Sequence, residues 1–196
     1  MPRNLWVTTV EMRARGAARR NGTTAGAPVV GIVMGSGSDL PTMSECGRVL
    51  ESYGVPFEAR VLSAHRTPDE AARFAREAEG RGLKVIVAGA GGAAHLAGAM
   101  AAHSTIPVIG VPLDSSPLRG FDALLSTVQM PPGVPVATVG VGSMGAKNAG
   151  HLAVAILAVG DDRLRTRLRE RRRRMAAEVL AESAVMTPPP PKTGKG

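Results

Sequence analysis

Two histidines stand in short loops built from serine, glycine and arginine. In SAHRT (63–67), His65 lies between Ser63 and Arg66; in GAGGAAHLAG (89–98), a glycine- and alanine-rich run leads into His95. Imidazole is the side chain that titrates nearest neutrality, and guanidinium is a planar cation suited to phosphate. A third loop, GSGSD (35–39), joins two glycines to the hydroxyls of Ser36 and Ser38 and the carboxylate of Asp39. Between a strand and a helix, such a loop offers backbone N–H groups and the helix dipole to an anion. Asp39 would repel phosphate but suits a ribose diol, accepting from both hydroxyls. Two histidines beside an anion site describe proton transfer on a phosphorylated small molecule.

Each motif also has a plainer reading. Serine and aspartate at a helix start are ordinary caps, and a lone loop histidine can be structural. GSGSD lacks the GK[ST] of a Walker loop. It also lacks the third glycine of a dinucleotide fingerprint, and the apolar run ending at Leu62 carries no ribose-binding acid after it. There is no Ser–His–Asp order, and none of the three loops carries a cysteine nucleophile or a Schiff-base lysine. His103 and His151 fall within helical stretches and read as structural or surface residues.

The loops can act together only if the elements around them converge. From residue 28 the chain alternates apolar runs with helical patterns. The pattern predicts strands at 28–35, 57–62, 84–91, 106–112 and 134–141. It predicts helices over 40–53, 68–81, from about 94, over 121–128 and over 146–159. Short apolar strands alternating with helices indicate βαβ units and a parallel sheet covered on both faces. The expected fold is α/β, a three-layer αβα sandwich with a flavodoxin-like sheet of order 2-1-3-4-5. Right-handed crossovers then carry the loops after strands one, two and three to one sheet edge, at the topological switch point. An extra C-terminal helix is predicted from Asp161 to about Ser183, with an apolar stripe of Leu164, Leu168, Met175 and Val179 on an arginine-rich surface.

Charge follows this division. Residues 1–28 carry five Arg and one Glu, residues 161–196 carry ten basic and five acidic side chains, and residues 29–160 carry nine basic and ten acidic. The net charge of +8 therefore belongs to the ends. With only Trp6, Tyr53, Phe57, Phe74 and Phe121 as aromatic residues, the near-neutral middle is poor material for stacking bases, so nucleic acid is not expected as a partner. RERRRR (169–174) reads as a solvated face or a cover for a neighbouring subunit. The expected organisation is an N-terminal extension (1–28) without fixed structure, an α/β domain (29–160), a C-terminal helix (161–185) and a disordered Pro-rich tail (186–196). One cysteine, Cys46, permits no intramolecular disulfide, and a reducing cytoplasm is the simplest compartment. Histidine spacing and a single cysteine offer no metal cluster, and no segment reaches the ~20 apolar residues needed to span a membrane.

The stretches VMGSGSD, SAHRTPDE, VIVAGAGGAAHLAG, STVQMPPGVPVATV and GAKNAGHLAVAIL together resemble the class I PurE family, the N5-carboxyaminoimidazole ribonucleotide mutases of purine biosynthesis. The likeness runs over about 29–180. It implies conversion of N5-carboxyaminoimidazole ribonucleotide to 4-carboxy-5-aminoimidazole ribonucleotide without ATP, metal or organic cofactor. It implies that His65 is the general acid/base, with His95 adjacent. Arg66 and Ser38 then take the phosphate with Ser36 and Ser63 close by, and Asp39 takes the ribose. The third loop, with Ala90, Gly91 and Leu96, holds the aminoimidazole and carboxylate. The family forms octamers in which the C-terminal helix reaches a neighbouring subunit. One departure stands out: the family commonly has Pro after HL, where this chain has Ala97, which is expected to loosen the loop. Two other functions fit the same residues, a direct phosphoribosylaminoimidazole carboxylase and a non-catalytic phosphoribosyl-ligand binding protein. The retained GGAAHL loop favours the mutase over the first, and the two histidines disfavour the second.

Overall fold

The computed structural model describes residues 26–185, so the expectations for the first 25 residues and for the Pro-rich tail lie outside the described residues. The elements run β1 (Val30–Met34), a 3-10 turn (Gly37–Asp39), α1 (Leu40–Ser52), β2 (Phe57–Val61), α2 (Pro68–Ala78), β3 (Val85–Gly91), α3 (Leu96–Ala102), β4 (Val108–Leu113), α4 (Phe121–Val128), β5 (Ala137–Thr138), α5 (Gly142–Leu157) and α6 (Asp162–Val185). All strand pairs are parallel and the order is β2-β1-β3-β4-β5. This is the flavodoxin-like sheet expected from the alternating pattern. No helix among the described residues is long and apolar enough to cross a membrane.

Alternation along the strands divides the core into two layers. Val30, Ile32 and Met34 of β1 pack with Met43, Cys46 and Leu50 of α1 and with Ala146, Ala149 and Ala153 of α5. Val33 faces the other way, joining Phe74 of α2 and Leu96 and Met100 of α3. Gly31 sits between them for lack of room: a Cβ there would lie 3.0 Å from both Phe74 and Leu83. Close approach also explains the small residues of α5. A Cβ on Gly150 would meet Val49 at 2.8 Å and the Cys46 carbonyl at 2.9 Å. Cys46 itself is fully buried at this crossing, and burial pushes its thiol pKa up to about 12.

Several predicted boundaries shift for local reasons. The expected strand over 134–141 shrinks to Ala137–Thr138. Pro135 has no N–H to donate, glycines follow at 140 and 142, and the strand is a sheet edge. Helix α2 stops at Ala78, short of Arg81, in a turn where Gly82 has φ +93°. Helix α5 starts four residues early because Gly142 (φ +70°) and Gly145 let its first turn close against the Gly140 carbonyl. In α6, Leu164 and Leu168 pack on the core, whereas Met175 and Val179 are exposed, so only half of the predicted stripe is covered within this chain. Ala97 lies in the first turn of α3 and is 2% exposed, inside the core rather than in the loop it was expected to loosen.

Candidate active site

The sheet ladder sets the site. The Gly35 N–H donates to the Gly89 carbonyl at 3.2 Å, and the Leu62 N–H donates to the Met34 carbonyl at 2.9 Å. The loops after β1, β2 and β3 therefore leave one edge at the same level, where the strand order reverses.

The first loop is held by its own side chains. Ser36 is extended (φ −148°, ψ 154°) and caps the 3-10 turn. Its Oγ accepts from the Ser38 N–H at 3.3 Å and from the Ser38 hydroxyl at 2.9 Å, and Asp39 Oδ2 accepts from the Ser36 N–H at 2.9 Å. This is a capping box, so the plainer reading of these residues also holds. Asp39 is buried, and burial pushes its carboxyl above the ordinary value of 3.8, partly offset by the Ser36 N–H and the Arg66 cation.

The second loop folds on Ser63 and Thr67. Ser63 Oγ accepts from the Arg66 N–H at 3.1 Å, and Thr67 Oγ1 accepts from the Ser63 N–H at 2.9 Å. That leaves the Arg66 side chain pointing back across the edge, where Nη2 donates to the Gly35 carbonyl at 2.6 Å. One guanidinium therefore ties the second loop to the first and keeps further N–H donors for a ligand.

The third loop turns on Gly92, whose φ of +60° favours glycine. Ser126 of α4 holds it: its Oγ accepts from the Ala94 N–H at 3.1 Å and lies 3.2 Å from the Gly92 carbonyl. His95 follows at the head of α3, and its Nδ1 is 2.9 Å from His65 Nε2.

Between the loops lies an open cavity of about 350 Å³, a size suited to a small ligand. Its wall holds Ser36, Ser38, Asp39, Ser63, His65, Arg66, Ala90, Gly91 and Leu96. His95 is exposed and is not part of the wall; its ring meets that of His65, which is. Gly35, Ala64, Ala93 and Ser115 also line the space and were not anticipated. Gly35 and Ala64 adjoin predicted residues in sequence, and Ala93 lies in the same loop as Gly91. Ser115 follows β4, and position alone could have found it, since β4 neighbours β3 and strand carboxyl ends bear ligands. His103 caps the far end of α3, and His151 packs on Tyr53, both outside the cavity.

The cavity wall combines a cation and hydroxyls, suited to phosphate, with an imidazole and small backbone-rich residues, suited to a flat heterocycle. Comparison with known proteins agrees. A protein-family model described as AIR carboxylase matches residues 29–178. The N5-carboxyaminoimidazole ribonucleotide mutase of Pyrococcus abyssi is 56% identical over 76% of this chain and 85% of its own. The protein of that name from Bacillus subtilis is 54% identical over 80% of this chain and 96% of its own. Among solved structures, Treponema denticola PurE superposes with a TM-score of 0.75 at 25% identity, covering 82% of this chain and 99% of that one. On the family match and these relatives, the chain belongs to the AIR carboxylase (PurE) family.

Proposed function

We propose that the protein is an N5-carboxyaminoimidazole ribonucleotide mutase of purine biosynthesis, forming 4-carboxy-5-aminoimidazole ribonucleotide. The observation that carries this reading is the juxtaposition in one cavity of Arg66 and Ser38 with His65, whose ring is met by His95 at 2.9 Å. The family model is named for a carboxylase and the relatives for a mutase. Relatives above half identity over most of the chain decide for the mutase.

In this mechanism Arg66 and the loop at Ser36 and Ser38 take the phosphate, and Asp39 accepts from the ribose hydroxyls. His65 protonates N5 as the bond from N5 to the carboxyl carbon breaks. The bonding pair stays on nitrogen and carbon dioxide is released. Ring C4 then attacks carbon dioxide, forming the new C–C bond, and the C4 proton passes to His65. One proton is given and one regained, and the carboxyl group moves within one molecule, so the balance calls for no redox partner and no nucleotide triphosphate. Gly91 and Ala90 let the backbone approach the ring, and Leu96 forms an apolar floor.

The active assembly is a homo-oligomer, an octamer by likeness to the family, working in the cytoplasm without nucleic acid. Support for assembly comes from large apolar side chains exposed on this chain. Phe121, Leu125 and Val128 lie on one face of α4 beside Leu118, and Met175 and Leu180 lie on α6. The C-terminal helix then packs on a neighbouring subunit.

The test is to incubate purified protein with N5-carboxyaminoimidazole ribonucleotide, with neither ATP nor added bicarbonate, and follow the C4 proton by NMR. Conversion under those conditions supports the mutase. Turnover only of aminoimidazole ribonucleotide with added bicarbonate indicates the direct carboxylase, and binding without turnover indicates a binding protein.

A further inference from the structure

Four serines line the cavity, and three of their hydroxyls are engaged within the protein. Ser38 donates to Ser36 at 2.9 Å, and Ser63 accepts from the Arg66 N–H at 3.1 Å. The fourth, Ser115, has no hydrogen-bond partner among the described residues. Its neighbour Ser116 is fully used, donating to Asp122 at 2.9 Å and accepting from the Leu118 N–H at 3.2 Å. The loop after β4 is thus pinned by one serine and presents the other, uncommitted, to the cavity.

The position of Ser115 is built in by β3. Gly91 pairs with Leu113 in the ladder, and a Cβ on Gly91 would fall 1.9 Å from Ser115 Oγ. The bare Cα of Gly91 leaves the space that the Ser115 hydroxyl occupies. Across the sheet edge the order of loops is β2, β1, β3, β4, so Ser115 stands at the end of the cavity away from Arg66. With the phosphate on Arg66, as in the proposed mechanism, the heterocycle and its carboxyl group would extend toward Ser115.

Resting on the mutase reading, we propose that the Ser115 hydroxyl binds the carboxyl group in transit and retains carbon dioxide for recapture. A neutral donor suits this task. The group is an anion when attached to N5 and uncharged once released, and a cation at this place would favour the attached anion and oppose its departure. A hydroxyl costs less on loss of the negative charge, yet still directs one oxygen of carbon dioxide while C4 attacks the carbon. No proton moves through Ser115; those steps remain with His65.

The experiment measures how turnovers end. N5-carboxyaminoimidazole ribonucleotide is supplied without added bicarbonate, and carboxylated product is compared with free aminoimidazole ribonucleotide. Ser115→Ala is expected to raise the share of turnovers leaking carbon dioxide by roughly three- to tenfold, the worth of one neutral hydrogen bond. Its Tm and its affinity for inorganic phosphate are expected to match wild type. A wild-type leak share in Ser115→Ala, whatever its kcat, overturns the assignment while leaving the mutase reading intact. A wild-type protein that cannot interconvert the two ribonucleotides overturns both.

Discussion

His65 Nε2 and His95 Nδ1 face each other at 2.9 Å, with the rings meeting edge-on at 82°. At that distance only one of the two nitrogens carries a hydrogen, which the other accepts. His95 thereby fixes the ring orientation of His65 and can share the hydrogen on Nε2. His65 is the member of the pair in the cavity wall.

The two positions are consequently expected to differ. His65→Asn removes the proposed acid/base and should lower kcat by roughly 10²–10⁴-fold, with substrate binding retained. His95→Asn should lower kcat by less and leave KM in place, because it acts through His65. Steady-state kinetics beside calorimetric binding checks both; a His95 variant impaired in binding alone would place that residue on the ligand instead.

Asp39 is expected to trade stability for function. Because its folded-state pKa is raised, the native chain holds this proton more tightly than the unfolded chain. The stabilisation is full below the unfolded value of 3.8 and disappears as pH rises through the folded value, so at neutral pH the buried anion is a net cost. Asp39→Asn keeps an oxygen for the Ser36 N–H and removes the charge. It should raise Tm at pH 7 by roughly 2–4 °C and weaken binding of the ribonucleotide. Thermal melts from pH 3 to pH 8 test this, since the gain should vanish at the acid end.

Ser126 holds the loop that carries His95. Ser126→Ala leaves the Ala94 N–H without its partner, a loss of about 1–2 kcal/mol. Hydrogen exchange at the Ala94 amide should accelerate, and kcat should fall more than KM rises. Unchanged exchange at that amide would mean the loop is held by other contacts.

His151 supplies the acid-side instability. Burial and the nearby Arg171 hold its pKa below the ordinary value of 6.5, beside Tyr53 whose hydroxyl is 3.4 Å from Nδ1. A depressed folded pKa means the unfolded chain binds the proton first. Stability is therefore full above about 6.5 and declines as pH falls from there to the folded value. His151→Gln should flatten the fall of Tm as pH drops below 6.5, with activity at neutral pH retained.

Much of this was legible from residue types. Branched apolar runs closed by glycine mark β1 and β3, and Pro68 with Asp69 and Glu70 marks the start of α2, so the sequence alone brings the loops bearing Ser36, His65 and His95 to one edge. What escaped depended on neighbours in space. Ser115 enters from the loop after β4 beside the bare Cα of Gly91, a contact between distant residues that topology could suggest but no local pattern records. The structure brings His95 to 2.9 Å from His65 but leaves it outside the cavity wall, a difference set by how the third loop turns at Gly92 rather than by residue type. The shortness of β5 could have been read, since the expected order already made it an edge strand and Pro135, Gly140 and Gly142 bound it.

The burial of Cys46 makes the chain a blank background for thiol chemistry. The sequence holds one cysteine, and that thiol is shut within the α1–α5 crossing with its ionisation pushed up to about 12, so little thiolate meets a reagent at neutral pH. A cysteine introduced at the cavity rim or on the exposed half of α6 would therefore be the sole reactive sulfur. Fluorophores, spin labels or tethered fragments could be placed there without first removing a native group from the core.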